Sequence, residues 1–140
     1  MFHRILAAVD GSEHSWRAFD VALELAAKFG GALYALTVEE NLPHYAATVG
    51  EVEEERAEEN GQASKMKELA EGRAKGLGVE LHFKVLPGHE VKTILEYTSQ
   101  GKFDLLVVGR VGHSGIFMKH TGSTSTMLAF HSPCSVLVVH

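Results

Sequence analysis

Near its C-terminus the chain places Gly109 and Gly112 three residues apart, then, after nine further residues, Gly122 and Ser123, with Thr124, Ser125 and Thr126 directly behind. An apolar run, Leu105 to Val108, leads into the first glycine, and a short helix-like segment follows the last. A strand entering a glycine loop that opens onto a helix rich in hydroxyls is a construction for holding an anion. Glycine lets the main chain approach phosphate with no Cβ in the way. The free N–H groups and the positive end of the dipole at a helix N-terminus then favour negative charge there. The spacing G-x2-G-x9-G-[ST] is not a Walker A loop, because no G-K-[ST] occurs, and no G-x-G-x-x-G follows the first strand.

Asp10, in Val9-Asp10-Gly11-Ser12 behind another apolar run, is the second candidate. Two roles fit it together: a carboxylate meeting a ribose or a metal–phosphate group, and a turn or helix-capping aspartate. The motif glycines can equally be turn residues, and Ser123 and Thr124 equally helix caps. Arg110, His113, Lys119 and His120 lie between the motif glycines; solvated loop cations are the ordinary reading, with Lys119 and His120 as candidate phosphate contacts.

Other chemistries find less support. The chain has nine histidines, but none in H-x-x-x-H or H-E-x-x-H spacing, and Cys134 has no second cysteine to join it as a zinc ligand. Gly112-His113-Ser114-Gly115 does not satisfy the G-x-S-x-G of a hydrolase elbow. There is no P-loop lysine, water-positioning residue or arginine finger of the kind efficient phosphoryl transfer uses, so the residues favour a binder over a catalyst.

The elements that must hold these residues alternate. Phe2 to Val9 is apolar and β-capable. Trp16, Phe19, Ala22, Leu23, Ala26 and Ala27 recur at helical steps and stop at Gly30-Gly31. Ala32 to Val38 predicts a second strand, 52–75 a second helix, and 80–86 a strand solvated on its His82 and Lys84 side, as at a sheet edge. Pro87-Gly88 turns into a helix over 89–99. The wholly apolar 105–108 suits a central parallel strand; a helix from about 122 stops before Pro133, and 135–139 is the last strand. Strands joined by helices predict an α/β fold with a parallel sheet and right-handed crossovers.

Three segments in order, Ile5-Leu6-Ala7-Ala8-Val9-Asp10-Gly11-Ser12, the glycine motif, and Ser132-Pro133-Cys134-Ser135-Val136-Leu137-Val138-Val139, resemble the universal stress protein family in its ATP-binding branch. The likeness runs from Phe2 to His140 and is weakest over 39–65. It implies one domain over 1–140 with an open, doubly wound, Rossmann-like five-stranded sheet in the order 3-2-1-4-5. Asp10 and Gly109 then end neighbouring strands at the topological switch point, where such sheets bind ligands. The resemblance implies ATP with Mg²⁺ as cofactors. It implies a contact set of Ala8, Val9 and Asp10, the main chain of Val38 at the adenine edge, Gly109, Gly112, Gly122 and Ser123, with Asp10 toward Mg²⁺; Arg110, beside Gly109, and Thr124, in the same turn as Ser123, join it as candidates from their position and not from the resemblance. It also implies a homodimer through the final strand, Ser135 to Val139, whose exposed apolar edge needs covering. The expected function is a nucleotide-dependent stress-response module with a protein partner. Two alternatives share the sheet: a slow ATPase or adenylyl-transfer enzyme, and a nucleotide-free dimeric interaction module.

Bulk properties agree. With 140 residues and 45% hydrophobic content, a self-sufficient core is within reach. Glu51, Glu53, Glu54, Glu55, Glu58 and Glu59 with Arg56 account for the whole net charge of −5, so the remainder is neutral and phosphate-neutralising contact with nucleic acid is not expected. The acidic run reads as a solvated helix start, with partner binding as the alternative. No apolar run approaches membrane-spanning length, no signal peptide is visible, and the lone cysteine fits a reducing cytoplasm.

Overall fold

The computed structural model describes residues 1–40, 49–110 and 124–140, with the backbone alone over 49–60. Among the described residues nine elements alternate: β1 (Arg4–Ala8), α1 (Glu13–Phe29), β2 (Ala32–Glu39), α2 (Val49–Leu77), β3 (Leu81–Pro87), α3 (Glu90–Gln100), β4 (Leu105–Gly109), α4 (Thr124–His131) and β5 (Ser135–Val139). The five strands form one sheet in the order β3-β2-β1-β4-β5. Every neighbouring pair is parallel. The α/β class and the strand order are those expected from the sequence.

Both faces of the sheet are buried, which is why its central strands are continuously apolar. On one face Ile5, Ala7, Leu33, Ala35, Leu105 and Val107 meet Phe19, Ala22 and Ala26 of α1 and Ala70 and Ala74 of α2. On the other, Leu6, Leu36, Leu106 and Val108 meet Ile94 of α3 and Leu128 of α4. Adjacent residues Ile5, Leu6 and Ala7 are all 0% exposed although they face opposite layers. The chain is therefore doubly wound about β1 and β4.

The helix boundaries have local causes. Ser12 caps α1: its side chain accepts from the Ser15 N–H, and Gly30 ends the helix in the left-handed region at φ 65° with its N–H on the Ala26 carbonyl. The second helix offers small side chains, Ala63, Ala70 and Ala74, to the core, and is tied to α1 by Arg73, which donates to Asp20 at 2.8 Å and lies 4.7 Å from the Trp16 ring centre. Pro87 closes β3, where its missing N–H is tolerated on an edge strand.

The amino ends of the strands are clasped by Arg4. Its Nε and Nη2 donate to the Gly101 carbonyl and its Nη1 to the Tyr34 hydroxyl at 3.0 Å, while the guanidinium lies over the Tyr34 and Phe103 rings. Asp104 accepts from the His3 and Arg4 amides, fixing where β1 and β4 begin. Tyr97 completes this cluster against Phe103; burial, with the Tyr34 phenol beside it, pushes its hydroxyl above the ordinary tyrosine value, against the opposing pull of Arg4.

Candidate functional site

The opposite, carboxyl edge of the sheet opens between β1 and its neighbours. β1 pairs with β4 only as far as Ala7↔Val107 and with β2 as far as Ala8↔Leu36. Beyond those rungs the strands part. From β1 the chain winds outward through β2 to β3, and from β4 through β5, so this gap is the switch point at which α/β sheets leave a crevice.

Asp10 stands at the rim, fixed by a tight turn. Its Oδ1 accepts the Ser12 N–H at 2.9 Å, and its own N–H donates to the Ser15 hydroxyl at 3.3 Å. That hydroxyl in turn donates to the Ser12 carbonyl. Gly11 between them takes φ 87°, a conformation side chains disfavour. The turn-forming role of Asp10 is thus present in the fold. The helix cap itself belongs to Ser12. A half-buried carboxylate beside a strand end suits ribose hydroxyls or a phosphate-bound Mg²⁺, whose other ligands are phosphate oxygens and water. Ala8 and Val9 precede it; Val9 is 2% exposed, its N–H donating to the Leu36 carbonyl and its own carbonyl accepting from the Thr37 hydroxyl.

Gly109 ends β4 across the gap. A Cβ there would lie 2.6 Å from the carbonyl oxygen of His14 and 3.0 Å from the Ser15 nitrogen. Its lack of a side chain is therefore required by the first turn of α1, whatever else approaches it. Arg110, exposed, follows: its N–H donates to the Val139 carbonyl at 2.8 Å and its carbonyl accepts from the Ser125 hydroxyl at 3.1 Å. One residue thus joins the exit of β4, the end of β5 and the first turn of α4. Thr124, the first residue of α4, sits half-buried next to this junction. The two described ends of the glycine segment meet there. Gly112, Gly122 and Ser123, with Lys119 and His120, lie outside the described residues.

Val38 lies near the end of β2, paired with Leu86 on its outer side. Beside it is a residue the sequence reading passed over. The Thr37 hydroxyl, in a side chain 4% exposed, donates to the Val9 carbonyl at 2.9 Å. The signal available for it was an aliphatic hydroxyl near the top of a strand that is apolar but for Tyr34 and Glu39. Ser15, also buried, was missed likewise because its partners lie in the preceding turn. Among the described residues no group of three or more histidine, cysteine or acidic side chains could hold a metal alone. A cation here would depend on Asp10 and on oxygens brought by its ligand. None of the described helices is long and apolar enough to cross a membrane.

The profile of the Universal stress protein family matches residues 1–140. The chain belongs to that family. A universal stress protein of Methanocaldococcus jannaschii is 31% identical over 99% of this chain and 82% of its own length. Among solved structures, UspA from Lactobacillus plantarum superimposes with a TM-score of 0.83 at 27% identity, covering 99% of this chain and 98% of that one. A universal stress protein crystallised in complex with cAMP gives a TM-score of 0.79 at 29% identity, covering 99% and 97%. The doubly wound sheet of this universal stress protein is thus shared across its full length with relatives, one of which holds an adenine nucleotide.

Proposed function

We propose that this universal stress protein binds ATP, with Mg²⁺ bridging the phosphates, as a regulatory module whose shape or partner affinity follows its nucleotide state. The observation that carries the reading is convergence. Asp10, the end of β2 at Val38, and Arg110, bonded to Ser125 of α4, all border the one gap where the sheet changes winding direction. The base would lie against the Val38 main chain, the ribose or Mg²⁺ by Asp10, and the phosphates over Gly109, Arg110, Gly112, Gly122, Ser123 and Thr124. The relative crystallised with cAMP supports an adenine nucleotide as the ligand class. When bound, Mg²⁺ supplies charge neutralisation of the phosphates. Within the same reading the chain acts as one cytoplasmic domain over 1–140 that dimerises through β5, an edge strand on which Leu137 is exposed.

The deciding experiment is calorimetry with ATP on nucleotide-stripped protein, with and without Mg²⁺, backed by thermal melts. Saturable 1:1 binding, tighter with Mg²⁺, is expected. A ligand at a hundred times its dissociation constant contributes about 2.7 kcal/mol; at an unfolding entropy of about 0.3 kcal/mol/K for a chain of this size, the melting temperature rises by about 9 °C. The absence of both binding heat and a melting shift at millimolar ATP would refute the proposal.

A further inference from the structure

We propose that Thr37 is a positioning residue of the nucleotide site, whose hydroxyl ends the β1–β2 ladder one rung early and so leaves the Val38 main chain directed at the base. The assignment rests on the adenine-nucleotide reading above. In a parallel ladder a residue donates to the residue before its opposite number and accepts from the residue after it. Val9 makes the first of these bonds, its N–H donating to the Leu36 carbonyl at 2.9 Å. The second would come from the Val38 N–H. The register instead stops at Ala8↔Leu36, and the Val9 carbonyl accepts from the Thr37 hydroxyl at 2.9 Å.

Leu36 directs its main-chain groups at β1, so Val38, two residues on, directs its own to the same side, above the point where β1 departs. An N–H and a C=O side by side there match the Watson–Crick edge of adenine, which accepts at N1 and donates from the 6-amino group. The hydroxyl is what keeps them available. Val9 is 2% and Thr37 4% exposed, so water has little access to the Val9 carbonyl. A buried carbonyl stripped of its donor is costly and draws in the nearest N–H, here that of Val38. One more rung would then zip between β1 and β2. The same hydroxyl fixes the carbonyl of the Val9–Asp10 peptide from one side, while the Ser15 hydroxyl holds the Asp10 N–H from the other.

The test compares ATP with ITP, whose base presents the reversed edge, on the wild type, Thr37→Val and Thr37→Ser. Valine keeps the branched shape without the hydroxyl; serine keeps the hydroxyl without the methyl. The wild type is expected to prefer ATP by about tenfold. Thr37→Val should lose most of that preference by weakening ATP far more than ITP, and Thr37→Ser should retain it. A merely structural threonine would move both ligands together. An unchanged ATP-to-ITP ratio in folded Thr37→Val, or a wild type that binds both equally, overturns the assignment alone. A wild type that binds neither overturns the proposed function, and this role with it. Should Thr37→Val not fold, amide exchange on the wild type decides: the Val38 N–H should exchange faster than that of Leu36 without ATP and gain protection with it. Equal protection without ATP overturns the inference.

Discussion

Replacing Gly109 by alanine separates two reasons for a glycine in one position. The signature reading makes it part of a phosphate cradle, and then its substitution should harm only nucleotide binding. The structure adds a demand that holds without any ligand. The new Cβ would stand 2.6 Å from the His14 carbonyl oxygen, 2.7 Å from its carbon and 3.0 Å from the Ser15 nitrogen. All three are main-chain atoms of the first turn of α1, so no side-chain rotation can relieve the contact. The helix and the strand must move apart, and overpacking of this kind costs about 1–3 kcal/mol. With an unfolding entropy of about 0.3 kcal/mol/K, nucleotide-free Gly109→Ala should melt about 3–10 °C lower than wild type. Gly72→Ala is the companion measurement. Gly72 lies inside α2 with nothing within 4 Å of its added Cβ, and alanine there should stabilise by about 0.5–1 kcal/mol. Scanning calorimetry or circular-dichroism melts of the two apo variants read both effects. A Gly109→Ala protein that melts with the wild type would refute the packing argument and return the glycine to a purely ligand-facing role.

Other outcomes follow from the same geometry. Asp10→Asn keeps an oxygen for the Ser12 N–H, so its melting temperature should stay within about 2 °C of wild type while Mg-ATP affinity in calorimetry falls about tenfold, or about 1.4 kcal/mol; intact affinity would make Asp10 a turn residue only. Leu137→Lys puts a charge on the edge strand β5, where the native residue is 36% exposed, and should shift a wild-type dimer toward monomer in light scattering. A wild-type mass of 15.2 kDa at micromolar concentration would contradict the dimer itself. Tyr97, with its hydroxyl pushed up mainly by burial, stays neutral in the fold while the unfolded chain ionises first. Its contribution is therefore whole below pH of about 10 and shrinks as pH rises past it. Tyr97→Phe should flatten the alkaline limb of a pH–stability curve, and an unchanged limb would count against that burial.

The frame of this fold was legible because its signals are periodic. Four apolar residues at 105–108 matched a strand buried on both faces, and the alternation of Leu81, His82, Phe83 and Lys84 marked an edge, which is where β3 stands. Helix α1 announced its stop at Gly30. What stayed hidden depends on register between distant strands. The Thr37 bond to Val9 spans 28 residues and appears only once β1 and β2 are aligned. Gly109 looked like a loop glycine because nothing in its neighbourhood names His14 as the atom it must avoid. The Arg4 clasp joins residues 97 apart through one guanidinium, and a lone arginine at a strand start carries no sign of such partners. Helix α2 was anticipated as shorter than the observed Val49–Leu77, since its acidic first half offers no apolar stripe by which to judge its start.

Because the Arg110 carbonyl is held by Ser125 and its N–H by Val139, the ends of the intervening segment are pinned together by the sheet and α4, independently of what that segment contains. Its length is then nearly free to vary. Closing a loop twice as long costs only about 0.6 kcal/mol in chain entropy, a small charge on a scaffold whose strands are already joined. Insertions, deletions and changes of charge can accumulate there without asking the core for compensation. If that segment holds the nucleotide as proposed, ligand preference can drift among descendants of such a chain while melting temperature stays almost where it was, and the segment of one member should graft onto another at these two anchors.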